Sequence, residues 1–177
     1  MTVVFRQGAG RLCLDFVRTL RLRGKPGVVE ELPDAAALAE WVRQCGPAEP
    51  TGVPDFVQVK AAQELREAVF GLIATEPTAT DRQVINAAAA RPVPAPRLEP
   101  SGQLTWAAED VVNATLALVA RDALDLATSP ALVRVHACAN PDCSALFLDS
   151  SRPGTRRWCS MDTCGNRAKK ETLRSKS

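Results

Sequence analysis

The sequence predicts a mainly α-helical protein with small β elements: a helical N-terminal domain over residues 1–130, then a treble-clef-like finger over residues 131–177. Three observations carry that expectation. Apolar residues recur at helical steps in two long segments, Val59, Ala62, Leu65, Val69 and Leu72 in one and Val112, Leu116, Val119, Ala123 and Leu126 in the other. Each set falls on one stripe of a helix. Four of the six cysteines follow, as C-x4-C, fifteen residues, then C-x4-C, from Cys138 to Cys164. Ser129-Pro130 breaks the second long helix just before them and marks the domain boundary.

Taken in order, Gly8-Ala-Gly10 is a flexible start. Leu12, Phe16 and Leu20, with Cys13 and Val17 beside them, predict a short amphipathic helix. Arg21 to Gly27 is a basic loop. Asp34 is a good N-cap for a helix with Leu38, Trp41 and Val42 on its apolar face, and Cys45-Gly46-Pro47 ends it. Residues 53–75 form the first long helix, with Glu64, Arg66 and Glu67 on its other faces. Thr80-Asp81 opens a helix that Pro92 stops, and Pro92 to Pro96 is a stiff connector. Leu98 to Trp106, centred on Pro100-Ser-Gly102, reads as a hairpin. Residues 106–128 are the second long helix, packed on the first. Leu132 to Val135 leads into the finger as a strand. Cys13 and Cys45 have no chelating neighbours and read as small buried apolar residues.

A length of 177 residues allows one domain and a small appendage, and 46% apolar composition fits a globular core. No apolar run reaches the roughly 18 residues that a transmembrane helix needs, so no membrane partner is expected. The N-terminus lacks the pattern of a secretory signal. A cytoplasmic location follows, where thiols stay reduced and paired cysteines favour metal over disulfides. Net charge is +2 but uneven: 13 Lys/Arg against 16 Asp/Glu in residues 1–130, and 9 against 4 in residues 131–177. A basic tail on a mildly acidic body reads either as a site for a polyanion or as a solvated terminus.

The four thiolates of Cys138, Cys143, Cys159 and Cys164 suit the tetrahedral preference of Zn2+ and leave no open coordination position, so the site is structural. Asn140-Pro141-Asp142 supplies the tight turn between the first pair, and Ala145 to Leu148 a short strand. Ser151 to Gly154 is a second turn, and Cys159 opens a polar segment that runs as a helix to the C-terminus. The finger's apolar core is small, so metal binding is expected to be coupled to its folding.

Arg157-Trp-Cys-Ser-Met161 and Cys164-Gly-Asn-Arg167 resemble the signature of the bacterial CGNR zinc-finger family. In that family the finger ends the chain after an α-helical ABATE domain. Gly10 to Leu20 is similar to the opening motif of ABATE domains, L-x-L-D-F-x-N-T, with Arg18 where the family usually has Asn. The resemblance implies a stress-related transcription regulator.

Of the basic residues, Arg152, Arg156, Arg157, Lys169 and Lys170, together with Trp158, are the expected DNA contacts, and Arg156, Arg157, Lys169 and Lys170 the stronger ones. Trp158 reads equally as a cover for the metal site. Gly165, Asn166 and Arg167 are expected to support the finger: Gly165 by close packing, Asn166 by bonding the knuckle backbone, Arg167 by pairing with Asp142, Asp149 or a carbonyl. An enzyme has little to build on. One histidine, His136, serves the whole chain, no phosphate-cradling glycine motif occurs, and Glu30-Glu31 and Glu109-Asp110 read as solvated surface. The reading is a DNA-binding regulator whose helical domain senses a small-molecule effector or forms a homodimer. The alternatives are a protein-interaction finger and, third, an enzyme with its pocket in the helical domain. A sensor pocket is expected between the inner faces of the two long helices, near Leu12 to Leu20.

Overall fold

The computed structural model describes residues 4–174. Helix Leu12–Val17 (α1) is followed by two paired strands, Leu20–Arg21 (β1) and Val29–Glu30 (β2). Helices Ala35–Cys45 (α2), Phe56–Ala74 (α3) and Ala79–Ala89 (α4) come next. The hairpin Ala95–Leu98 (β3) and Leu104–Ala107 (β4) precedes the long helix Val111–Thr128 (α5). Then come a 3-10 turn Pro130–Arg134, strands Val135–Ala137 (β5) and Leu146–Leu148 (β6), a π-turn Met161–Gly165 and helix Asn166–Arg174 (α6). This is the mainly α architecture with small strand pairs that the sequence predicts.

The helices start where side chains can satisfy their first amide groups. Asp34 accepts from the Ala37 N–H (2.9 Å), and Asp55 and Gln58 form a reciprocal capping box at α3. A second box, Thr78 with Asp81, opens α4 one residue before the expected Thr80-Asp81. Asp110 accepts from the Asn113 N–H (3.0 Å), so α5 begins at Val111 rather than at Trp106. Trp106 belongs instead to β4, opposite Pro96, and the hairpin reaches into the expected connector. α1 stops short of Leu20 because the Thr19 hydroxyl donates to the Phe16 carbonyl (2.7 Å) and the Glu31 N–H claims the Thr19 carbonyl (2.8 Å). Residues 130–134 form a 3-10 turn and not a strand, since the Ser129 hydroxyl accepts from Ala131 N–H and Pro130 fits the first turn.

α5 is central: α1, α2, α3 and α4 all pack on it. Leu14, Phe16, Trp41, Leu65, Leu116 and Leu126 are fully or almost fully buried. Phe16 meets Trp41 edge to face at 4.8 Å, a favourable aromatic geometry. The inner faces of α3 and α5 near α1 are closed, with Val59, Leu65, Val69, Val112, Leu116 and Val119 at most 5% exposed, and a groove of about 170 Å³ reaches Leu65 and Leu116 from the α4 side. The expected sensor pocket between them is therefore packed core. The same cluster runs on into the finger through Leu146, Phe147, Cys138, Cys159 and Cys164. At the seam the Leu148 N–H donates to the Ala9 carbonyl (2.8 Å). Gly10 has φ +92° and an added Cβ would lie 3.1 Å from the Leu148 Cβ, so both conformation and space ask for glycine here.

Two arginines hold this frame through ion pairs. Arg66 is buried rather than on a solvent face, and Glu30 is its partner rather than surface charge. The two guanidinium nitrogens donate to Glu30 at 2.5 and 2.6 Å, and the first also to the Thr19 hydroxyl at 3.3 Å. Arg11 reaches Asp122 (2.8 Å) and Asp125 (2.6 Å), while Asp122 accepts the Cys13 N–H (2.8 Å). Burial pushes the Glu30 carboxyl up, but hydrogen bonds from Arg66 outweigh it and hold it below the usual range. Its contribution is present above the ordinary Glu value of about 4.3 and lost as pH falls through the depressed one. Glu30→Ala leaves the Arg66 charge buried without a full partner. It should cost about 3–5 kcal/mol in urea unfolding at pH 7, and Arg66→Met added to it should recover part of that loss. A cost under about 1 kcal/mol would mean that water replaces the carboxylate.

Candidate metal centre and basic surface

Backbone bonds shape the knuckle before any metal is considered. The Asn140 side-chain oxygen accepts from the Asp142 N–H (2.9 Å), and its carbonyl accepts from the N–H groups of Cys143 (3.0 Å) and Ser144 (3.3 Å). Cys138 donates its N–H to the Ala145 carbonyl (2.9 Å), which closes the turn onto β6. The Ala139 N–H donates to the Arg157 carbonyl (2.9 Å) and so draws the second cysteine pair beside the first. Ser160 caps the π-turn by accepting from Thr163 N–H (3.4 Å), and that turn presents Cys164.

The sulfurs of Cys138, Cys143, Cys159 and Cys164 all lie within 4.8 Å of one another. Cys143 and Cys159 are 3.6 Å apart, Cys159 and Cys164 3.7 Å. A disulfide would need about 2.05 Å. A tetrahedral four-thiolate zinc, with Zn–S near 2.3 Å, places sulfurs about 3.8 Å apart. Three of the four residues are buried and one half-buried. The donor set, its spacing and its enclosure make this a metal site of the closed, structural kind. The hydrogen bond with Cys159 pulls the Cys143 thiol down to about 4, and the same contact pushes Cys159 up. His136 stands on β5 with its ring 6.1 Å from that of Phe147, outside this group.

A further group reaches the sulfurs from the helical part. Arg18, 7% exposed, directs one guanidinium nitrogen to the Cys159 sulfur at 3.9 Å. Its other nitrogen lies 3.3 Å from Asp15 and 3.4 Å from the Gln7 carbonyl. Asp15 in turn accepts the N–H groups of Gly8 (3.2 Å) and Ala9 (2.9 Å). Lys25 donates to the Pro141 carbonyl of the knuckle across a separation of 116 residues. Nothing local in the sequence signals either contact.

The expected contact residues divide into two sets. Arg152, Arg157, Lys169 and Lys170 are exposed. Arg156 is taken up by the fold. Its N–H donates to Asp149 (2.9 Å), its guanidinium donates to the carbonyls of Trp158 (2.8 Å) and Cys159, and its plane lies 4.7 Å from the Phe147 ring centre. Trp158 is half-buried against the core, with the Arg157 guanidinium 5.3 Å from its ring. Gly165 is buried, and a Cβ there would come within 2.8 Å of the Met161 sulfur and 3.4 Å of the Trp158 ring. Asn166 donates to the Asp162 carbonyl (3.3 Å) within its own turn, not to the 139–143 knuckle. Arg167 lies 3.8 Å from Asp142, but both side chains are more than half exposed, so the pair adds little.

Two family models match the chain. The ABATE model, described as "Putative stress-induced transcription regulator", covers residues 10–130, and the CGNR zinc finger model covers residues 134–177. A comparison with curated proteins returns no match. Among the described residues no helix is long and apolar enough to cross a membrane. Because Arg18 supports a ligand sulfur from outside the coordination shell, Arg18→Gln should speed metal loss to a chelator roughly 10-fold, within the range for such supporting contacts. Circular dichroism should show the helices retained. An unchanged rate would mean that the guanidinium serves only Asp15.

Proposed function

Because the chain belongs to the ABATE family, we propose that it is a zinc-dependent transcription regulator. Its finger binds DNA through phosphate charge, and its helical domain, residues 1–130, senses a small-molecule ligand or dimerises. Supporting this reading is an exposed basic set, Arg152, Arg157, Lys169 and Lys170, on a finger organised around four clustered sulfurs. The Arg157 backbone is tied to the knuckle, so a metal at the cysteines fixes where that charge stands. Trp158 and Arg156 hold the finger together in this reading and leave the DNA-contacting set. Gly165 and Asn166 shape the turn that presents Cys164. The protein acts in the cytoplasm and has no catalytic role.

Zn2+ is the metal proposed for Cys138, Cys143, Cys159 and Cys164. Metal analysis should give one zinc per chain. Since Cys138, Cys159 and Cys164 belong to the same apolar cluster as α1, chelation should lower the melting temperature of the whole chain, not of the finger alone. Two well-separated transitions, with the helical one unmoved, would argue for independent folding of residues 1–130.

Four phosphate contacts predict a log–log salt slope of about −3.6 on random duplex, from roughly −0.9 per contact. Lys169→Ala or Arg157→Ala should flatten it by about 0.9 and weaken all sequences alike. Arg156→Ala should instead reduce finger stability. If neither surface variant changes affinity while zinc stays bound, the partner of the finger is a protein.

A further inference from the structure

A cleft of about 110 Å³ lies between the β1 segment and the metal knuckle. Arg6, Arg18, Arg21 and Arg23 line it on the helical side, and Cys143 to Leu146 on the finger side. No acidic residue is in the lining. Phe70 and the aliphatic parts of Val17, Leu20 and Leu22 supply an apolar wall. By volume it holds several waters, or one small organic molecule.

The guanidinium groups are only partly used by the protein. Arg18 pairs with Asp15, Arg21 weakly with Glu31 (3.5 Å) and Arg23 with Glu67, and the Arg23 guanidinium lies 4.2 Å over the Phe70 ring centre, so it and the ring edge form one wall of the cleft. Glu67 is also shared with Arg66 (3.0 Å). Arg6, half-buried, makes no ion pair among the described residues. The Nη2 of Arg23 is buried and has no hydrogen-bond partner among them. A buried donor left unpaired costs free energy and calls for an acceptor. Burial pushes the Glu31 carboxyl up against the opposing pull of Arg21 and Arg6. The two non-glycine residues with left-handed backbone among those described, Leu22 (φ +53°) and Ser144 (φ +53°), both line this cleft. Such conformations are held at a cost, and two of them face each other across one cavity.

We propose that this cleft binds a small carboxylate with an apolar body, its anionic group taken by Arg6 and Arg23 and its body set against Phe70 and Leu22. The guanidinium fork matches a carboxylate in a bidentate way, and the apolar wall selects an organic acid over an inorganic ion. The inference deepens the sensing part of the proposed function and is independent of DNA binding. Because Cys143 and Ser144 form the opposite wall, an occupant presses on the metal knuckle itself. Binding and metal retention are thereby linked: what stabilises the closed cleft slows opening of the knuckle.

The competing account is that the arginines serve only to balance thiolate charge. Arg18 reaches a sulfur; no hydrogen bond joins Arg6, Arg21 or Arg23 to one among the described residues. Titration calorimetry of the zinc-loaded full chain with acetate, hexanoate, benzoate, inorganic phosphate and neutral benzamide separates the two. Saturable binding of hexanoate or benzoate is expected, at least 10-fold tighter than acetate, phosphate or benzamide. The tightest acid should also slow zinc transfer to a chelator several-fold. Arg6→Gln should weaken that acid at least 10-fold without changing zinc transfer in its absence, and Phe70→Ala should erase the preference over acetate. No saturable carboxylate binding at 10 mM, on the order of the weakest affinities worth assigning, overturns the proposal. Equal binding of benzamide overturns it too, as does faster zinc loss in unliganded Arg6→Gln. DNA affinity enters none of these readings.

Discussion

Four sulfurs drawn within 4.8 Å of one another are the point around which the described part of the finger is arranged. As thiolates they repel, and the few apolar residues around them cannot offset that repulsion; a cation at their centre can. The backbone is arranged to make the gathering repeatable. Asn140 folds one pair, Ser160 caps the turn that carries the other, and the Ala139–Arg157 bond ties the two together. Two of the sulfur edges, 3.6 and 3.7 Å, already match those of a tetrahedral thiolate site.

That cluster is not isolated from the helical part. α1 contributes Leu14 and Phe16 to the main core, and the Arg18 that follows it reaches Cys159. Ala9 and Gly10 just before it hold β6. The β1–β2 segment is pinned below by Arg66 through Glu30 and touches the knuckle above through Lys25. One short helix and one short hairpin therefore carry mechanical contact between the metal site and the rest of the chain.

Within the finger, charge is divided by geometry rather than by composition. Arg156 and Arg157 are adjacent in sequence, yet the first is turned onto Phe147 and the Cys159 carbonyl while the second is exposed. One arginine becomes part of the scaffold and its neighbour remains available to a polyanion.

The sequence by itself determined what depends on local periodicity and spacing. The stripes of α3 and α5, the Asp34 cap, the break at Ser129-Pro130 and the four-cysteine pattern are all short-range chemistry, and each leaves a local trace. Only the tertiary structure decided which charges are buried. Arg66 and Glu30 read as solvated residues because their partners are 36 positions apart, and Arg18 and Cys159 are 141 apart. The cleft is of the same kind: Arg6, Arg23 and Ser144 share no pattern along the chain, and packing of the finger on β1 brings them together. A guanidinium carries the same charge wherever it is written. Whether that charge meets water, a carboxylate or a sulfur is fixed by the fold that encloses it.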